Sequence, residues 1–537
     1  MQQPVLESAQ TSVHEGGAHQ REVPCHDPAT LEPLGSVSAM NLAEVKAIVD
    51  RGRAAQRSWG KTSFAERRAV LRDVLDHIVA HQEEICRLCV RDSGKTMVDA
   101  ALGEVFPVCE KIRYVIENGE KDLAPEPRAS GFLMHKKAWV EYQPLGVVGV
   151  LCPWNFPFHN LFCPTVPALF AGNAVVAKVS EHTSWSAQPL CDIFRKVLAA
   201  RGHDPDLVQI VTGYGETGAA LVRSGVDKIF FTGSPANGKK VMATASEGLV
   251  PVVLELGGKD PMLVFEDADL DHATSQAMLG VFTACGQMCV GVERIYVMDS
   301  VYDEFVRRVT TQAQALRQGP PLDGVVDVGA MTMPRQLDII ADLVADATSK
   351  GARALVGGKK RTDLGGQFFE PTIRGDVDHT MKIAQEEQFG PVMVIMKVRS
   401  EEEAVRLAND TAYGLGASVF TKDVARGERV ARRIRAGMTV VNDYGLAYMI
   451  QALPFGGVGV SGFGRINGKE GLRACCLEKA MVSDRVRLGG GVSVYPIRPA
   501  TFDLTRGVIS MLYSRGVGEK ARAAGRVVKS LVSILRS

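Results

Sequence analysis

No apolar run in the sequence is long enough to cross a bilayer. The longest, Phe162 to Ala177, is interrupted by Pro164, Pro167 and Asn173, and it falls short of the ~20 residues that a spanning helix needs. The opening residues, MQQPVLESAQTSVHEGGAHQ, lack the basic and apolar regions of a secretory signal, and residues 1–22 read as a disordered lead. Charge of one sign is also missing. Lys and Arg number 62 against 61 Asp and Glu, for a formal net charge of +1, which argues against a protein built to coat nucleic acid. The 11 cysteines are odd in number and scattered. They read as reduced thiols of a cytoplasmic protein, not as a disulfide framework. No His/Cys cluster has the spacing of metal ligands, so no metal is expected.

What the chain does have is length and glycine. Its 537 residues exceed the ~150 of a typical domain several-fold and predict two to four lobes. The 54 glycines make up about 10%, above the ~7% average, and point to tight turns or to loops lying against a ligand. From Asn41 to about Asn118 apolar residues recur at helical spacing: Leu42, Val45 and Ile48, then Leu71, Val74, Leu75 and Ile78, then Ile85 and Leu88. Asn41 and Ser63 stand where N-caps are wanted. From Val140 onward the style changes. Val147–Val150, Ala174–Lys178, Val208–Val211, Ile229–Thr232, Val252–Glu255 and Met262–Phe265 read as strands between helix-length segments, followed by Val392–Val398, Ser418–Phe420 and Thr439–Asn442. Such alternation is the mark of parallel sheets in α/β lobes. After about Arg487 a GGGV joint leads to two helical stretches, 501–513 and 519–536. The second carries an apolar stripe with Lys520, Arg522, Arg526, Lys529 and Arg536 beside it. A basic amphipathic helix can lie on an anionic membrane or dock on protein.

Several short motifs carry possible chemistry. Cys289, in Gly286-Gln287-Met288-Cys289, has a glycine that lets the backbone turn tightly beside the sulfur, as a nucleophilic thiolate requires; Cys285, one turn earlier, competes with it. Gly213-Tyr214-Gly215-Glu216-Thr217-Gly218 fits G-x-G-x-x-G but has no acid about 20 residues on, so it reads as a structural turn. Phe231-Thr232-Gly233-Ser234-Pro235, leading to Gly238, reads as a strand followed by a capped helix N-terminus open to a phosphate. Lys178-Val179-Ser180-Glu181 can hold ribose hydroxyls or form a surface ion pair. Asn155, between Trp154 and Phe156 and flanked by Pro153 and Pro157, must find a partner for its amide, a core carbonyl or a reacting oxyanion. Glu255, ending an apolar strand before Gly257 and Gly258, suits a carboxylate of raised pKa working as a base, or an ion pair with a nearby Lys.

Together these motifs resemble one family. Pro-Trp-Asn-Phe-Pro at 153–157, Lys-x-Ser-Glu at 178–181, Phe-Thr-Gly-Ser at 231–234, Glu-Leu-Gly-Gly-Lys at 255–259, Gly-Gln-x-Cys at 286–289, Glu-x-Phe-Gly-Pro at 387–391 and Pro-Phe-Gly-Gly at 454–457 are similar to the ordered signatures of NAD(P)-dependent aldehyde dehydrogenases. Pro157 to Asn160, Lys178 to His182 and Gly471 to Cys476, with the C-terminal extension, resemble the plant-type family-22 subgroup. The resemblance implies an α/β aldehyde dehydrogenase fold: a Rossmann-like NAD lobe (23–125 and 145–255), an α/β catalytic lobe (256–475), a β-flap for a homodimer or homotetramer (126–144 and 476–487) and a helical basic extension (488–537). It also implies an aldehyde substrate. Cys289 would be the nucleophile, Asn155 with the Cys289 N–H the oxyanion donor, and Glu255 the base that hydrolyses a thioester. Lys178, Ser180, Glu181, Gly233, Ser234, Gly238, Trp154, Glu387 and Phe389 would hold NAD; the role of Lys259 stays open. Two rival readings remain, acyl transfer to CoA and a membrane-peripheral scaffold on an inherited fold.

The chain departs from the family pattern in places. Gly459 replaces the usual Lys of Pro-Phe-Gly-Gly-x-Lys-x-Ser-Gly, and His159, Asn160 and Cys163 stand where aromatics often line the aldehyde tunnel. Ser184 and Trp185 displace the proline that usually follows Ser-Glu-x-Thr. Glu181 favours NAD, since a carboxylate accepts both ribose hydroxyls and repels a 2′-phosphate, although a rotated side chain admits NADP. With one aldehyde assayed against both cofactors, kcat/KM is expected to be higher with NAD; a higher value with NADP would overturn the preference.

Overall fold

The computed structural model describes residues 21–487 and 495–536. Residues 1–20 of the expected lead and the GGGV joint lie outside the described residues; β1 (Glu22–His26) opens at the last position of that lead and pairs antiparallel with β2 (Pro33–Ser38). The chain falls into two units. One comprises the residues up to Pro125 together with Glu141–Lys479, the other Glu126–Val140 with the chain from Ala480 onward.

In the larger unit the helical run starts where the caps predict. Asn41 Oδ1 accepts from the N–H groups of Ala43 (2.9 Å) and Glu44 (3.1 Å), and Glu44 accepts from the Asn41 N–H at 2.8 Å. This capping box satisfies donors that a helix end otherwise leaves orphaned. The helix Leu42–Trp59 then buries Val45, Ile48 and Val49, and Ser63 caps the next helix, Phe64–Ala80. Further on, the helical backbone loosens into a single π turn, Ala101–Val105. π turns are rare and concentrate at functional sites, and this one carries a fully buried carboxylate, Glu104.

Two sheets follow. The first contains β5 (Val147–Leu151), β6 (Ala174–Lys178), β7 (Val208–Val211), β8 (Lys228–Gly233) and β9 (Val252–Leu256), with the two-residue β17 (Gly462–Phe463) on its edge. The spatial order β7-β6-β5-β8-β9-β17 is parallel except for β17, which runs antiparallel to β9. This is a doubly wound order, in which the chain winds outward from β5 in both directions. Ligand sites in such sheets form beyond the carboxyl ends of the strands, where the winding reverses. The second sheet contains β10 (Asp260–Val264), β11 (Val292–Met298), β12 (Arg353–Val356), β13 (Thr372–Gly375), β14 (Val392–Val398), β15 (Ser418–Phe420) and β16 (Val440–Val441), in the order β12-β13-β14-β11-β10-β15-β16.

The sequence pattern put Met262–Phe265 in series with the strands of the first lobe. The structure moves that strand, as β10, into the second sheet. No helix intervenes between β9 and β10, only Gly257, Gly258 and Lys259, so the chain steps from one sheet straight into the other. Alternation alone could not reveal this step, because both strands are equally apolar. β11 (292–298) and β13 (372–375) were not anticipated. Gly213 and Tyr214 link β7 to the helix Gly215–Arg223, whose first turn takes up Gly215–Gly218, so most of the expected turn is helix; a Cβ on Gly213 would meet Thr217 Oγ1 at 2.1 Å, and that hydroxyl donates to Met40 O.

The smaller unit contains β3 (Glu126–Arg128), paired antiparallel with the start of β4 (Lys136–Pro144), and the end of β18 (Cys476–Asp484). The extension forms two helices, Pro499–Tyr513 and Val517–Arg536. Gly507 lets them approach: a Cβ there would lie 2.8 Å from Val527 Cγ2. Phe502, Ile509, Tyr513, Val528 and Val532 are left exposed. Among the described residues no helix is long and apolar enough to cross a membrane.

Candidate active site

The site is assembled where the two sheets meet. β9 ends in Glu255 and Leu256, and three residues later β10 begins. Asp260 pairs in parallel register with Val292 of β11, so the loop leading into β11, which carries Cys289, is brought beside the end of β9. The β17 edge pins this corner. Gly462 lies opposite Glu255, and its φ of +99° with Leu254 O only 2.1 Å from a would-be Cβ demands glycine. Ser461 Oγ donates to Gly257 O at 2.7 Å.

The cysteine loop is strained and braced. Ala284, Cys285 and Gly286 are left-handed in succession, with φ of 49°, 56° and 71°, a conformation costly for residues with a Cβ. The Gln287 side chain holds it: Nε2 donates to Ala284 O (3.0 Å) and Ala330 O (3.3 Å), and Oε1 accepts from Thr332 N (2.9 Å). As a result Cys285 points into the core, where burial pushes its thiol up, while Cys289 remains partly exposed. Of the two candidate nucleophiles only Cys289 can meet a ligand.

Glu255 faces the Cys289 thiol. Burial pushes its carboxyl up to about 8, opposed by a hydrogen bond with Cys289 and reinforced by Asp260. Its Oε1 is buried without a hydrogen-bonding partner among the described residues. Desolvation, with the carboxyls of Glu255, Asp260 and Glu387 nearby, raises the Cys289 thiol well above its ordinary value. The two groups therefore hold their protons jointly, as a coupled pair. A buried carboxyl with one oxygen free and a pKa near neutrality can take a proton from a thiol or a water.

Asn155 is held from three sides. Its Nδ2 donates to Gln287 O (2.9 Å), its Oδ1 accepts from Asn160 Nδ2 (3.1 Å), and its carbonyl accepts from Lys95 Nζ (2.6 Å). Of the two partners the sequence allowed, one N–H thus meets a core carbonyl, and the amide keeps a second. Lys95 is buried and paired with Glu104 of the π turn, whose Oε2 accepts from His159 N at 2.8 Å.

Glu387 folds over the glycine pair. Its Oε1 accepts from Gly258 N at 3.0 Å, and a Cβ on Gly257 would strike its Oε2 at 2.1 Å. Phe389 has a left-handed φ of 46° and meets Trp154 edge-on at 5.5 Å. Lys259 answers its open role here. Fully buried, it pairs with Glu293 at 2.8 Å and bonds Gln388, while Glu293 accepts from the N–H groups of Gln388 (3.1 Å) and Phe389 (3.2 Å). It braces the Glu387–Phe389 turn from behind.

The remaining expected cofactor residues sit at the carboxyl ends of the first sheet. Lys178 closes β6 and pairs with Glu181 at 3.2 Å; Ser180 accepts from His182 N at 3.3 Å. Gly233 closes β8, and Ser234 Oγ caps the helix Pro235–Glu247 by accepting from Asn237 N at 3.3 Å. Gly238 faces Leu256 rather than open space: a Cβ would come within 2.9 Å of its Cδ2. Gly459, where the family has Lys, is left-handed, and the Arg435 guanidinium lies 3.1 Å from the place its Cβ would take. No local motif marks Lys95, Glu104, Glu293 or Tyr448 as site residues, since each has a partner distant in sequence; Asn160 stands out in the sequence only as a departure from the family's tunnel aromatics, and its contacts with Asn155 and His159 are local.

A family model for the aldehyde dehydrogenase family matches residues 15–481. The chain belongs to that family. An aldehyde dehydrogenase-like protein of Schizosaccharomyces pombe is 39% identical over 500 residues, 91% of this chain and 96% of that protein. Another, of Saccharomyces cerevisiae, is 38% identical over 534 residues, 96% of this chain and 82% of that protein; the match thus runs beyond residue 481 into the extension. A Mycobacterium tuberculosis aldehyde dehydrogenase solved with NAD+ superposes with a TM-score of 0.81 at 33% identity, covering 88% of this chain and 96% of that one. The fold is that of the aldehyde dehydrogenases, and the chain is an oxidoreductase that takes aldehydes to acids with NAD(P).

The raised Glu255 carboxyl has a consequence for stability. Between an ordinary unfolded value of ~4.3 and about 8, the folded state binds more protons at this group than the unfolded state, so stability falls as pH rises through that window. In Glu255→Gln this loss disappears. The thermal midpoint of the variant minus that of the parent should therefore grow from pH 5 to pH 8, and a difference independent of pH would refute the assignment.

Proposed function

We propose that Cys289 attacks the aldehyde carbonyl and passes its proton to Glu255, forming a thiohemiacetal whose oxyanion is held by the Asn155 amide and the Cys289 N–H. Two such donors stabilise the developing alkoxide by several kcal/mol. NAD(P)+, when bound, supplies the hydride acceptor. Glu255 gives up the thiol proton to solvent, the thioester left on Cys289 is hydrolysed by a water that the freed carboxylate deprotonates, and the Cys289 thiolate expelled as the acid forms takes that second proton back from Glu255. The observation that carries this reading is the buried, half-unpartnered Glu255 carboxyl against the thiol of the partly exposed Cys289. Its presence favours water over CoA as the acyl acceptor, and the full set of reacting groups speaks against a scaffold without catalysis.

The cofactor is placed by the same logic. The doubly wound sheet supports 23–125 and 145–255 as the NAD-binding domain, with Lys178, Ser180 and Glu181 on the adenosine ribose and the helix after Gly233 and Ser234, seated through Gly238, on the pyrophosphate. Glu387, held against Gly257 with nothing but glycine beneath it, takes the nicotinamide ribose between Trp154 and Phe389. Residues 256–475 are then the catalytic domain, and 126–144 with 476–487 the oligomerisation flap of a homodimer or homotetramer, since open strand edges favour pairing between copies; light scattering giving a monomer mass would refute that. Pro157 to Asn160, the Cys475-Cys476 pair and the extension support the family-22 subgroup within the family. The 11 free cysteines support a reducing, cytoplasmic location, which imaging of the tagged full chain tests. The exposed Val528 and Val532 beside Lys520, Arg522 and Lys529 support peripheral contact of 519–536 with anionic membranes.

Three experiments test these readings. Cys289→Ala should abolish NADH formation. Glu255→Gln should slow the first turnover of NADH as well as the steady state, because one carboxyl both accepts the thiol proton and activates the water; acyl-CoA appearing in place of free acid would select the CoA reading. Full-length chain should float with anionic liposomes more than a chain ending at Gly491, and equal flotation would remove the membrane contact.

A further inference from the structure

The Asn155 amide has two orientations, and the structure leaves only one consistent. Reversed, its oxygen would sit 2.9 Å from the Gln287 carbonyl oxygen and its NH2 would face the NH2 of Asn160. The choice propagates outward. Asn160 donates from Nδ2 to Asn155 Oδ1, so Asn160 Oδ1 faces His159 Nδ1 at 3.1 Å. An amide oxygen only accepts, so His159 must carry its proton on Nδ1. Desolvation holds the ring neutral by pushing it down to about 4. Nε2 is then an acceptor, and it faces the Tyr448 hydroxyl, which donates to it. The Cys163 sulfur lies 3.7 Å from the same hydroxyl. Glu104 fixes the start of this segment by accepting from the His159 N–H.

We infer that Tyr448, His159 and Asn160 form a hydrogen-bonded relay of fixed polarity that orients the Asn155 amide as an oxyanion donor. They are positioning residues for the aldehyde reaction, and they account for polar side chains at 159 and 160 where the family often has aromatics. The inference rests on the reading of Asn155 given above. It adds that this chain keeps the donor aimed through neighbours of its own. A donor held even slightly off line loses much of its effect on a developing charge.

The test is a double-mutant cycle read on the pre-steady-state rate of NADH formation, with KM for NAD and thermal midpoint as controls. Asn160→Ala should slow the burst about 10-fold with KM for NAD unchanged. Asn160→Asp, which can only accept, should slow it at least as much. Tyr448→Phe should slow it about 3-fold, by releasing the His159 tautomer. In an Asn155→Ala background all three should have less than about 2-fold effect, because the group they orient is gone. Effects that multiply with Asn155→Ala would overturn the relay while leaving the oxyanion reading intact. An Asn155→Ala chain with an unchanged burst would overturn both. If Asn160→Ala does not fold, Tyr448→Phe and Asn160→Asp carry the same cycle.

Discussion

Three residues, Gly257, Gly258 and Lys259, join the last parallel strand of one sheet to a central strand of the other. That short link is the constraint on which the site depends. A span so brief forces the carboxyl ends of the first sheet to abut the amino ends of the second. The ligand side of a doubly wound sheet thereby faces the loops that enter β11 and β14. Glycine is required at the link for a packing reason. A Cβ at 257 would occupy the place of Glu387 Oε2, and one at 258 would meet the Cys289 carbonyl oxygen at 2.5 Å.

Around that corner the loops are held by buried charge. Lys95 with Glu104 grips Asn155 from one side, and Lys259 with Glu293 grips the Glu387 turn from the other. Buried ion pairs contribute little net stability compared with apolar replacements. Removing one partner, however, leaves an uncompensated charge at a cost of about 3–5 kcal/mol. Their value here lies in geometry: each ammonium meets a carboxylate and a further oxygen, and so fixes where a reactive side chain stands. The same logic in reverse explains Glu255, which is buried without a cation and keeps its proton near neutral pH.

Much of this was legible in advance. The caps at Asn41 and Ser63, most strands of the first sheet and the ordered motifs from Pro153 to Gly457 rest on local chemistry, which a sequence displays directly. The strand pattern does not show that Met262–Phe265 changes sheet, because an apolar strand looks the same in either; only the 256–475 lobe implied by the family resemblance puts it there. β11 and β13 were missed, and the braces Lys95, Glu104 and Glu293 left no local trace because their partners lie up to about a hundred residues away. Gly238 shows the converse: a glycine read as phosphate-facing also lets a helix seat on Leu256.

By itself, then, the sequence determined the alternation of elements, the family and the set of reactive residue types, since these follow from periodicity, capping and short motifs. Only the tertiary structure buried Cys285 while leaving Cys289 partly exposed, raised the Glu255 carboxyl, gave Lys259 its partners and set the orientation of the Asn155 amide. Each of those depends on desolvation and on partners distant in the chain, and neither exists until the two sheets have met.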